Sequence, residues 1–217
     1  MVLMNLSSYH VGIDEAGRQK QVRSLPKYII GIDEAGRGPL AGPLVVGGIR
    51  MESGIRNKEL GILKGIKDSK QLTEKQREEW YKILTKHPAV KWVAIKVSSA
   101  TIDKINIYQA TLLGARKVHQ KLAGSLPSHA LLDGSLYLPK NISQETIIKG
   151  DEKVPIIAAA SIIAKVTRDR IMKNLHKKYP DYRLDLHKGY GTKLHRERIA
   201  QFGSSEIHRK SFRVKLV

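Results

Sequence analysis

Cysteine is absent from the 217 residues, so the chain can form neither a disulfide framework nor a thiolate metal site. Any metal must therefore be held by oxygen ligands first and histidine second. No apolar run approaches the ~20 residues that cross a bilayer. The N-terminus, Met1 to Ser8, lacks the charged start and long apolar middle of a signal peptide. The expected setting is the cytoplasm, with no membrane partner. Acidic residues are scarce too: 20 Asp and Glu stand against 39 Lys and Arg, a formal charge of +19. That excess points to a polyanionic partner whose attraction weakens steeply with salt. The positive charge runs through the whole chain, which predicts a folded basic face and not a basic arm.

The hydrophobic share of 41% is ordinary for a globular protein, and the length suits one sizeable core better than two. The stretch Tyr28-Ile-Ile-Gly-Ile-Asp-Glu-Ala-Gly-Arg-Gly-Pro-Leu-Ala-Gly-Pro43 opens as a buried strand and then turns polar and glycine-rich. Neighbouring strand residues point to opposite faces, so Asp33 and Glu34 share a site only if the strand breaks down there. Gly36-Arg37-Gly38 offers backbone N–H groups and a guanidinium, suited to a phosphate or a sugar hydroxyl. From these residues alone, an ordinary polar loop is an equally good reading.

Further strands are predicted at Leu44–Ile49, Lys91–Val97 and His129–Asp133. Thr73 and Gln76 form a capping box for a helix to Lys86, expected to bury Trp80, Ile83 and Leu84. A longer helix starts at Ser99 or Thr101, with a stripe from Ile102 through Tyr108 and Leu112 to Leu122. Trp92 and Tyr108 are read as core. Pro155 opens a helix to Lys178 whose first half is apolar nearly all round. Thr192 caps a last helix ending near Gly203, and Ile207–Arg213 reads as a basic tail. Strands first, then strands alternating with helices, indicate an α/β domain on a mixed sheet.

Three apolar runs end in acids: Asp33 with Glu34, Asp133, and Asp151. One such aspartate usually just starts a turn. Several at one sheet edge would repel and raise one another's pKa values unless divalent cations sit between them. Two ions about 3.5–4 Å apart can activate water and stabilise a leaving oxygen in phosphodiester hydrolysis.

Taken together and in order, the Gly31–Pro43 stretch, Asp68-Ser-Lys-Gln-Leu72, Leu132-Asp-Gly134, Lys149-Gly-Asp151, Ala158–Arg170 and His187-Lys-Gly-Tyr-Gly-Thr192 resemble the ribonuclease HII family. The resemblance covers Tyr28 to the C-terminus. It implies a ribonuclease H-like mixed β-sheet flanked by helices with a C-terminal helical and loop segment, in one catalytic domain over 28–217. It implies a Mg²⁺- or Mn²⁺-dependent endonuclease that cuts the RNA strand of RNA–DNA hybrids. Incision 5′ of single ribonucleotides in duplex DNA, leaving 3′-hydroxyl and 5′-phosphate ends, comes with it, and no obligate protein partner is implied. The family's metal-binding acids fall on Asp33, Glu34, Asp133 and Asp151, and its ribose sensor on Gly36, Arg37, Gly38 and Tyr190. Without the resemblance, Tyr190 would read as a loop aromatic packed for stability. Ser69, Lys70, Ser161 and Lys165 are candidates for backbone phosphates, although Lys165 could equally be a solvated helix lysine. Asp169, within Arg168-Asp-Arg170, is read as part of a solvated ion-pair face.

One feature departs from the family pattern. Val11-Gly-Ile-Asp-Glu-Ala-Gly-Arg18 repeats Ile30–Arg37 with a single conservative change. The first copy lacks the second glycine, so residues 1–27 are read as an extension, with Asp14 and Glu15 outside the site. Two other classes fit the basic composition: a nucleic-acid-binding protein without catalysis, and a nuclease of other specificity, such as an exonuclease or junction resolvase.

Overall fold

The computed structural model describes residues 26–53 and 61–213. The duplicate motif at 11–18, with Asp14 and Glu15, lies outside the described residues. Five strands form one mixed sheet. They are β1 (Tyr28–Ala35), β2 (Leu44–Glu52), β3 (Lys91–Val97), β4 (Ser128–Asp133) and β5 (Gln144–Ile147). Their spatial order is β3-β2-β1-β4-β5. The first three strands form an antiparallel meander, whereas β4 runs parallel to β1 and β5 parallel to β4. This is the mixed sheet with flanking helices that the family resemblance implied.

The helices are α1 (Glu74–Lys86), α2 (Ser99–Ala123), α3 (Gly150–Lys153), α4 (Pro155–Lys178), α5 (Leu184–His187) and α6 (Lys193–Phe202). Helix α2 covers one face of the sheet and α1 with α4 the other, while α5 and α6 pack in a separate apolar cluster with Ala41 and Met172. Strand alternation sorts the contacts. Ile30, Ile32, Ala130 and Leu132 pack towards α2, while Leu131 and Ile49 pack towards α1 and α4. Pro155 stands at the start of α4, and Thr73, Ser98 and Thr192 cap α1, α2 and α6. The Thr73–Gln76 capping box is complete in both directions.

Three core expectations change. Leu84 is fully buried, but Ile83 is 48% exposed, because α1 offers only one face to the sheet. Trp92 and Tyr108 are 38% and 37% exposed. Trp92 stands on an edge strand. Tyr108 follows a kink in α2, where Asn106 is left-handed in φ and its side chain accepts the Gln109 N–H at 3.0 Å.

The approach of α4 to the sheet depends on glycine. A Cβ at Gly31 would lie 2.3 Å from the Ile156 carbonyl oxygen, and one at Gly47 would lie 2.6 Å from that of Ala160. Backbone contacts of this kind cannot yield as a flexible side chain can. Gly47→Ala is expected to cost about 1–3 kcal/mol in urea denaturation. Gly61→Ala, into open space, is the control and should not destabilise.

Candidate active site

Asp33 lies within β1, which continues to Ala35, so the strand does not break down at the acids as expected. Convergence comes instead from the neighbouring strand. The parallel register pairs Ile32 with Leu132, and one step further Asp33 and Asp133 leave their strands side by side on the same face. Asp151 completes the group. It stands in the first turn of α3 and not at a strand end, because Lys149 turns left-handed after β5. One carboxylate oxygen from each of Asp33, Asp133 and Asp151 lies within 4.8 Å of the others. Glu34 is not one of the three, although its charge stands near enough to raise Asp33. Its Oε1 lies 3.4 Å from the Arg37 guanidinium, and its buried Oε2 has no hydrogen-bond partner among the described residues.

Burial is the main cause of the electrostatic tension. It raises Asp33 well above the ordinary aspartate range, with Glu34 and Asp133 adding to the rise and the Glu34 N–H opposing it at 2.7 Å. Asp133 is raised by burial and by Asp151, against hydrogen bonds from the Gly150 and Asp151 N–H groups. Glu34 is also raised by burial, with Arg37 opposing. Crowded oxygen donors, no thiolates and one orphaned buried carboxylate oxygen make a donor set suited to hard divalent cations.

A short turn over Ser69–Gln71 flanks these acids. The Lys70 ammonium donates to Asp151 at 2.9 Å, which raises the lysine pKa. Asp68 is buried beside them and accepts the Lys70 N–H at 3.2 Å; its pKa is raised by burial, with Asp151 contributing. No local signal in the sequence marks Asp68 for this place. Ser161 and Lys165 are engaged within the protein. The Ser161 hydroxyl accepts from the Ser69 N–H and donates to the Ala158 carbonyl, and Lys165 binds Asp169 at 2.8 Å.

The Arg168-Asp-Arg170 segment is not a solvated face. Arg168 and Asp169 are buried, and only Arg170 is exposed, paired with Glu78. The 207–213 segment is likewise no tail. Its His208 bridges to Ala41 as an antiparallel strand would, and Arg209 is buried under the Gly36–Pro43 loop. Nothing in the local sequence marks either arginine, since each reads as one more cation in a basic chain.

Tyr190 stands on the loop after α5, 43% exposed. A Cβ at Gly38 would lie 4.0 Å from its ring. Buried histidines steady this loop. His195 Nδ1 lies 3.0 Å from the Tyr190 carbonyl, His187 stacks on His195, and His195 Nε2 lies 3.2 Å from His208 Nε2. Burial and the neighbouring His187 lower His195 to about 4, and burial lowers His187 and His208 as well.

The mixed five-stranded sheet with its flanking helices and its acid trio matches the fold of the ribonuclease H class. Comparisons narrow this. The sequence profile of the ribonuclease HII family matches residues 30–215. The ribonuclease HII of Bacillus pumilus is 46% identical over 201 residues, spanning 93% of this chain and 68% of that protein. Among solved structures, the ribonuclease H2 of Pyrococcus horikoshii matches with a TM-score of 0.67 at 30% identity, over 86% of this chain and 94% of that one. The ribonuclease HII of Archaeoglobus fulgidus, solved in complex with PCNA, matches with a TM-score of 0.68 at 28% identity, over 88% and 96% of the two chains. The chain belongs to the ribonuclease HII family. It is an endoribonuclease, divalent-metal dependent, with ribonuclease H activity on RNA–DNA hybrids.

The raised acids give a stability prediction for metal-free protein. A carboxyl whose folded pKa lies above its unfolded value stabilises the fold at low pH and loses that contribution as pH rises through the folded pKa. At neutral pH Asp33 therefore opposes folding. Asp33→Asn should raise the thermal midpoint by roughly 2–6 °C in chelator at neutral pH. The gain should vanish as pH falls below 3.8, the ordinary aspartate value.

Proposed function

We propose that Asp33, Glu34, Asp133 and Asp151 hold divalent ions, Mg²⁺ or Mn²⁺, and that the chain incises duplex DNA on the 5′ side of a single embedded ribonucleotide as well as cutting longer hybrids. The products carry 3′-hydroxyl and 5′-phosphate ends. The observation that carries this reading is the meeting of three acids, from β1, β4 and α3, within 4.8 Å. Bound ions would supply water activation and charge stabilisation at the leaving oxygen.

The chain's own groups supply the rest. The acids fix the reacting centre at one end of the parallel β1–β4 pair. Lys70 offsets part of their charge and, with Ser69, stands where a substrate phosphate would pass. Ser161 supports that turn through its bond from Ser69, and Lys165 holds Asp169. Backbone N–H groups of the Gly36–Gly38 turn bind the ribose 2′-hydroxyl, the one group that separates RNA from DNA at a single position. Tyr190 stacks on the neighbouring sugar or base. The charge of +19 holds the phosphate backbone. Residues 28–217 act as one catalytic unit, and the copy at 11–18 takes no part.

A labelled DNA duplex carrying one ribonucleotide tests this reading. With Mg²⁺ or Mn²⁺ we expect one cut 5′ of the ribonucleotide, and none in chelator. Asp33→Asn should reduce the rate by about 10³-fold or more, whereas Asp14→Asn should cleave at the wild-type rate. Cleavage of an all-deoxy duplex, or binding without cleavage in either metal, would overturn the reading.

A further inference from the structure

Two buried cations lie under the Gly36–Pro43 loop, and neither is used by the chemistry described above. Arg209 donates from Nη2 to the Gly36 carbonyl at 2.6 Å, from Nη1 to the Arg37 carbonyl at 2.8 Å, and from Nε to the Gly42 carbonyl at 3.1 Å. Arg168 donates from Nε to the Pro43 carbonyl at 3.0 Å and from Nη2 to the Ala41 carbonyl at 3.3 Å. Both side chains are buried, and among the described residues neither has a carboxylate within ion-pair distance. Arg168 Nη1 is buried with no hydrogen-bond partner among the described residues.

A turn that needed only to be stable would not be built on such groups. Burying a charge without an opposite charge is costly, and placing two like charges side by side adds to the cost. Desolvation, with Arg168 as neighbour, lowers Arg209 to about 10. What the pair supplies in return is direction. A guanidinium donates in a rigid planar fork, and its charge-assisted bonds are stronger than neutral ones.

That direction passes through the peptide planes. The described chain has no cis peptide bond. In a trans peptide the carbonyl of one residue and the N–H of the next point opposite ways. With the Gly36 and Arg37 carbonyls drawn inward onto Arg209, the N–H groups of Arg37 and Gly38 point outward. Neither finds an acceptor among the described residues, and both residues are exposed. Gly36 cannot be replaced without disturbing the arrangement, since a Cβ there would lie 2.0 Å from Arg168 Nε. The Arg168 guanidinium also lies 5.6 Å from the centre of the Tyr190 ring, so one cation touches both halves of the proposed ribose sensor.

We infer that Arg209 and Arg168 are positioning residues for ribonucleotide discrimination: Arg209 holds the Gly36 and Arg37 carbonyls inward and so aims two N–H donors at the 2′-hydroxyl, while Arg168 fixes the far end of the loop through the Ala41 and Pro43 carbonyls and packs beneath Gly36. This rests on the reading of the Gly36–Gly38 turn given above. Neither arginine touches the substrate in this assignment.

The test uses full-length protein in the Asp33→Asn background, which should bind without cutting, with Mg²⁺ at fixed ionic strength. Anisotropy compares a duplex carrying one ribonucleotide with its all-deoxy counterpart. We expect the background protein to prefer the ribonucleotide duplex about tenfold, the worth of one or two hydrogen bonds. Adding Arg209→Gln or Arg168→Gln should bring the two affinities to parity while leaving the all-deoxy affinity nearly unchanged. A general loss of structure would weaken both duplexes together. Arg209→Lys keeps the charge but lacks the fork, so it should lose the preference as well, and it carries the test if the glutamine variant fails to fold by circular dichroism. A preference retained by the folded variants, or restored by the lysine, overturns the assignment alone. A background protein that binds both duplexes equally overturns the assignment together with the reading of the turn.

Discussion

Asp33 and Asp133 stand together because β1 and β4 run parallel, with Ile32 opposite Leu132, and the pairing leaves the two carboxylates no route apart. Packing on both faces holds that pairing in place, with α2 against Ile30 and Ile32 and α4 against the glycine face of β1. Repulsion between the acids is therefore borne by the fold and not relieved by it. Burial first, with that repulsion added, raises the pKa values of Asp33 and Asp133, and nearby N–H groups and Lys70 offset only part of the charge. A site strained in this way favours whatever brings positive charge between the carboxylates, and small divalent cations do so with oxygen ligands alone.

Around this acidic centre the protein is strongly basic, and its cations divide into two populations. Most are exposed lysines and arginines that confer long-range attraction to a polyanion. Arg168 and Arg209 are different in kind: buried, with no carboxylate at ion-pair distance among the described residues, and committed to backbone carbonyls. Three separate segments converge on one loop, since Arg168 comes from α4, Arg209 from the segment beyond α6, and the Gly189 carbonyl accepts the Leu40 N–H at 2.8 Å. The shape of the substrate-facing loop is therefore a property of residues far from it in sequence.

Much of this architecture was legible in the chain. The capping residues Thr73 and Thr192, Pro155 at the start of α4 and the apolar stripe of α2 are local signals, read by local physics, and the structure carries each of them. The motifs that resembled ribonuclease HII were specific as an ordered set and pointed to the family. Errors fell where a residue's environment is made by something distant. Arg168 looked solvated because a helical Arg-Asp-Arg usually is, and Arg209 looked like tail because its neighbours are basic. Tyr108 looked like core because periodicity continues through the Asn106 kink, although the backbone does not.

By itself the sequence determined which chemistry was open to this protein. Without cysteine, and with acids placed after apolar runs in a basic chain, it allowed hard-metal chemistry on a polyanion and excluded thiolate or disulfide devices. Tertiary structure alone decided which acids meet, how far apart they stand and which way the Gly36–Gly38 peptides face. The physical reason is that residue types set charge, donor set and local backbone preference, whereas distances and directions between remote groups arise only when strand register and helix packing are complete.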